Sequence, residues 1–148
     1  MLDIVLYIHI VAASAWIGGS ILLFVLGLSL RDKEAQKIVY FYIGPLYGYF
    51  ETFILLTLLA TGGYLYHSYS FHSFANLYDN RLAFLMHLKI AFVVLITLST
   101  IIHMYISLKA NGRDKSLKEK ILARTSSMII FLLNFIILWL AMDIREFL

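Results

Sequence analysis

Apolar residues in this chain come in long runs. Four stretches, Leu2 to Leu30, Leu46 to Tyr66, Leu82 to Leu108 and Ile121 to Met142, are interrupted by few charges. A helix that crosses a hydrocarbon core of about 30 Å needs about 20 mostly apolar residues, so each run predicts a transmembrane helix. The connections differ in charge. Arg31-Asp-Lys-Glu-Ala-Gln-Lys37 is charged, the third connection carries Lys109, Arg113, Lys115, Lys118 and Lys120, and the middle one, His67 to Arg81, has a single arginine and no lysine. Short loops rich in Lys and Arg stay on the cytoplasmic side, which predicts both termini outside. The expected fold is therefore all-α: an integral membrane four-helix transmembrane bundle, N-out/C-out, forming one domain over residues 1–148.

Two segments qualify that outline. Ile38 to Phe50 is aromatic and holds the only proline, Pro45. Tyrosines favour the headgroup level and the residue before a proline is pushed out of helical geometry. The reading is an interfacial segment broken near Gly44, with a long second helix kinked at Pro45 as the alternative. Tyr64 to Tyr78 has the composition of an aromatic belt on the opposite face and is expected to lie along the surface as a loop or lid.

Composition supports the membrane reading. The chain is 61% hydrophobic and 14% charged, against about 25% charged in soluble domains. The first run begins with Asp3 in place of a basic n-region and is far longer than a signal-peptide core, so it is read as a permanent span. Most of the cations behind the net charge of +3 fall in two loops and describe topology, giving no support to nucleic-acid binding. The absence of cysteine removes disulfides, thiolate metal sites, iron–sulfur clusters and covalent haem attachment. Any metal or cofactor is then left to His, Met, carboxylate or backbone oxygen. There is no phosphate loop, HExxH, Ser/His/Asp grouping or paired-carboxylate motif, so hydrolysis and nucleotide chemistry lack support.

The candidate chemistry lies in expensive residues. His9 falls roughly 10 Å along the first span and His87 roughly 8 Å along the third, counted at 1.5 Å per residue. With the predicted topology, both sit at one outer depth. Imidazoles at equal depth suit axial ligation of a b-type haem, and bundle cores house such cofactors. The same pair with His67 or His72 suits a copper or zinc ion instead. Against both stands the plainer use of a buried histidine, a hydrogen bond to a carbonyl across a helix interface. Trp16, two turns from His9, would wall a flat cofactor or simply pack; Gly18 and Gly19 would open room for one or permit a close crossing. Lys89 projects about 200° from His87 on a helix, so both cannot face one bundle axis. If His87 faces inward, Lys89 turns to lipid, to a second subunit, or upward to a propionate or Asp143, and the face of Lys89, Ile96, Thr100 and His103 becomes a dimer seam; if Lys89 faces inward, His87 is the less secure ligand. Glu51 is expected to pair with Arg124 or His103, or to shuttle protons, and Asn134 to join helices.

These residues also carry a resemblance. His9-x6-Trp16-Ile-Gly-Gly19, Ala60-Thr-Gly-Gly-Tyr-Leu65 and Asn80-Arg-Leu-Ala-Phe-Leu-Met-His-Leu-Lys89-Ile-Ala resemble the CopD membrane domain associated with copper resistance and, more distantly, HemJ-like protoporphyrinogen oxidases. The HemJ likeness, at His9, Trp16, His87, Lys89 and the His103 end, implies haem b. The chain differs from that family at Leu26 to Leu30, where the family has an arginine after a proline, and at Arg124-Thr-Ser-Ser127, where the family has Asn-Glu-x-Pro. The expected cofactor-binding set is His9, His87, Trp16, Gly19, Lys89 and Arg81, and the expected metal-ligating set is His9, His87, His67 and His72. The expected role is electron transfer or a haem-linked redox step in the inner membrane of a bacterium, with a redox protein or quinone as partner and a homodimer as assembly. Copper handling and porphyrinogen oxidation are the alternatives.

Overall fold

The computed structural model describes residues 1–73, 81–109 and 116–146, with side chains for all of these except 69–73. The described residues form four helices: α1 (Leu2–Ser29), α2 (Lys33–Ser73), α3 (Arg81–Lys109) and α4 (Leu117–Arg145). Each contains a stretch long and apolar enough to cross a membrane. Their outer surfaces carry many large apolar side chains, among them Tyr7, Leu22, Phe41, Phe53, Phe84, Leu132 and Trp139. Such a surface suits lipid and would be a liability in water. The hydroxyls within the helices are satisfied locally. Ser14, Ser20, Thr52, Thr57, Thr61, Thr97, Thr100 and Ser126 each donate to the carbonyl four residues earlier. That pairing leaves no unmet donor among them to be exposed to hydrocarbon.

The ends follow from sequence. Leu30 leaves α1 in an extended conformation while its N–H still reaches the Leu26 carbonyl at 3.0 Å. Asp32 then starts α2, its carboxylate accepting from the Glu34 N–H at 3.0 Å and its carbonyl from Gln36 at 2.9 Å. A short polar residue in this position supplies acceptors to an otherwise unpaired first turn. Ser116 and Glu119 form a reciprocal capping box at the start of α4.

The structure corrects the expected break near Gly44. α2 is one helix of 41 residues with Pro45 inside it, the long-helix alternative. A proline costs one backbone donor and crowds one carbonyl, and in a membrane helix the neighbouring geometry absorbs that cost. The charged segment after α1 likewise shrinks to Leu30–Asp32, and Lys33 to Lys37 already belongs to α2. The expected outer loop is helical from Tyr64 to Ser73, while its remainder, Phe74 to Tyr78, lies outside the described residues.

The chain divides into two compact units, Met1–Ala75 and Asn76–Leu148. In the first, α1 packs on α2; in the second, α3 packs on α4. The core of the second unit is a helical stripe: Leu85, Ile96, Ser99, Thr100 and Ile106 from α3, and Ala123, Ser126, Ile130, Leu133 and Leu140 from α4. The recurring three- and four-residue steps are those that place side chains on one helical face.

Candidate functional site

In the first unit, α1 and α2 meet across glycines, and each gap is filled by a polar ring. A Cβ on Gly62 would stand 3.2 Å from the His9 ring, one on Gly19 would stand 2.9 Å from the Tyr47 hydroxyl, and one on Gly27 would stand 3.1 Å from that of Tyr40. The turn at Leu30–Asp32 sets this antiparallel register, and it brings the Trp16-Ile-Gly-Gly19 and Ala60-Thr-Gly-Gly63 segments into one seam. Gly18 and Gly63, by contrast, have nothing within 4 Å of a Cβ. Only one glycine of each pair holds the helices together.

His9 is half-buried in that seam. Its Nδ1 lies 2.8 Å from Thr61 Oγ1. The threonine hydroxyl has one proton, and it goes to the Thr57 carbonyl at 2.6 Å. Toward the imidazole, Thr61 is therefore an acceptor, and Nδ1–H is the donor. In the neutral ring this leaves the lone pair on Nε2. Thr61 thus favours the Nδ1–H tautomer, in which Nε2 is the nitrogen able to ligate.

In the second unit, His87 arrives at the same tautomer by another route. Its Nδ1 lies 2.7 Å from the Ala83 carbonyl one turn earlier. A carbonyl can only accept, so Nδ1 carries the proton and Nε2 the lone pair. The side chain is exposed on its unit. Lys89 is half-buried instead, on the stripe between Leu85 and Ile96. The opposition inferred from sequence between these two residues is real, and here Lys89 takes the packed face. Ile96 and Thr100 are buried and His103 is half-buried on the same side of α3, so α4 of the same chain covers the face expected to form a dimer seam.

The other expected residues fall as follows. Trp16 is 5% exposed in α1, with its carbonyl accepting from Ser20. Gly19 accommodates Tyr47. His67 is exposed on α2, the His72 side chain lies outside the described residues, and Arg81 is the exposed first residue of α3. Among the described residues no three His, Asp or Glu side chains cluster as a metal site. Asp143 accepts a hydrogen bond from Trp139 Nε1 at 3.2 Å.

Sequence reasoning assigned no role to Thr61, Tyr47 or Ser20. Tyr47 lies against Gly19, and its hydroxyl hydrogen-bonds the Ser20 side chain. The available signal was the short turn after α1, which folds the two helices back along a register that brings His9 past Thr61. Glu51, one turn beyond Tyr47, is 6% exposed.

No family model, curated protein or solved structure matches this chain. The fold itself defines the class: an all-α multi-pass membrane protein with four apolar helices among the described residues.

Proposed function

We propose that this chain binds haem b in the bacterial cytoplasmic membrane and carries single electrons, with His9 in the first unit and His87 in the second as the residues that would ligate it. The observation that supports it most is the hydrogen bond between His9 Nδ1 and Thr61, which holds the ring in the α1–α2 seam and makes Nε2 the nitrogen that would ligate. His87 has the same protonation pattern. A haem ligated by two imidazoles would supply one-electron chemistry, which favours electron transfer over oxygen chemistry. This chain's own residues do the holding. Thr61 fixes the ring of His9, Gly62 leaves room for that ring, and the Ala83 carbonyl fixes His87.

The accompanying orientation puts both termini outside, because the lysines and arginines concentrate around the α1–α2 turn and between the end of α3 and the first turn of α4. The electron counterpart is a membrane quinone or a redox protein. The test is the absorption spectrum of the protein purified from haem-replete membranes, before and after dithionite. A Soret band with a sharpened α band on reduction is the expected result. A colourless protein, or one carrying copper by elemental analysis, overturns the proposal.

A further inference from the structure

Glu51 is an acid in the interior of an apolar helix pair, only 6% exposed. Neither α1 nor the part of α2 beyond Lys37 contains a lysine or arginine. Lys37, the nearest cation along its own helix, is about 20 Å away at 1.5 Å per residue. The ionisable side chains of α1 are Asp3, Tyr7 and His9, and His9 is engaged with Thr61, more than two turns along α2 from Glu51. Tyr47 stands one turn before Glu51 on α2, and its hydroxyl is tied to Ser20 of α1. Ser20 in turn donates to the Trp16 carbonyl at 3.1 Å. An ionised carboxylate here would be a buried charge without a counter-ion from its own unit, which is costly; a carboxylic acid would not.

We infer that Glu51 is a proton-binding site within the membrane, carrying one exchangeable proton, with Tyr47 and Ser20 as the hydroxyls that support it. Release moves the carboxyl proton to water, leaving a carboxylate and a hydronium ion, and uptake is the reverse. Intramembrane acids that serve as proton carriers have this setting, an ionisable group facing the helix interior with polar hydroxyls beside it. The inference stands apart from haem binding and holds for the protein with or without the cofactor.

Infrared spectroscopy of the full chain in phosphatidylcholine vesicles tests it. At neutral pH the wild type should show a protonated carboxyl stretch that shifts in D2O and converts to carboxylate as pH rises. Glu51→Gln should lose that band, and Tyr47→Phe should keep it at a shifted frequency and midpoint. Side-chain carboxyl labelling of glutamate with carbon-13 gives the same readout in the wild type should Glu51→Gln fail to fold, since Glu34, Glu119 and Glu146 lie at helix ends. Identical carboxyl bands in wild type and folded Glu51→Gln would show an ionised, paired Glu51 and overturn the inference. A labelled band that neither exchanges in D2O nor titrates would overturn it as well.

Discussion

The α1–α2 and α3–α4 pairs are both built from long apolar helices, yet their seams are filled differently. Across α1–α2 the gaps left by Gly19, Gly27 and Gly62 receive Tyr47, Tyr40 and His9, and the buried set includes Trp16 and Glu51. Across α3–α4 the seam is a stripe of Leu, Ile, Ala, Ser and Thr, with Asn134 buried among them and Lys89 and His103 half-buried on the same face of α3. In lipid, close packing and hydrogen bonds replace the hydrophobic drive that joins helices in water. The second pair uses that packing for cohesion. The first places titratable and hydrogen-bonding rings in the gaps that its glycines leave.

Substitutions can break or sharpen this contrast. The largest effect is expected at His87: replacement by Ala should abolish the low-spin haem spectrum of a protein that is still helical by circular dichroism, and retention of that spectrum would remove His87 from the ligand set. Next comes Leu133→Ala in α4, a buried apolar residue, which should cost about 2–5 kcal/mol in a reversible detergent unfolding titration. The spectrum of the folded fraction should be unchanged, because α4 contributes packing and no ligand. Thr61→Val keeps the shape and removes the acceptor for His9 Nδ1–H, so cofactor affinity should fall by about 10–100-fold in a haem titration of the apoprotein. An unchanged affinity would show that Thr61 does not orient the ring.

The smallest effects distinguish the glycines. Gly18→Ala and Gly63→Ala meet open space and should raise thermal stability by up to about 1 kcal/mol through helix propensity. Gly19→Ala and Gly62→Ala should lower the unfolding midpoint, since Tyr47 and His9 must move. Equal behaviour of all four variants would contradict the glycine-gapped seam.

Much of the fold was legible because a transmembrane run is a signal of length and composition. The first and third helices, expected over 2–30 and 82–108, occupy Leu2–Ser29 and Arg81–Lys109. The second was misread where a local rule about Pro45 competed with the continuity of a long helix, and continuity won. The fourth begins at Leu117, earlier than its apolar run, because Ser116 and Glu119 cap it; the motif was present in the sequence, but hydropathy alone does not register it. His9 stood out from the cost of an imidazole in hydrocarbon. Its partner did not, since a threonine in an apolar helix is unremarkable until the turn at Leu30–Asp32 fixes which residues of α2 pass His9. The directions of His87 and Lys89 were legible as a conflict from helical geometry, and the choice between them needed the α4 stripe.

The central claim, that the Nε2 lone pair set up by Thr61 makes His9 an iron ligand, is tested most directly by His9→Gly in the purified protein with added imidazole. The account predicts that the variant loses the low-spin haem spectrum and that free imidazole restores it. Low-spin haem retained in His9→Gly without imidazole would contradict it.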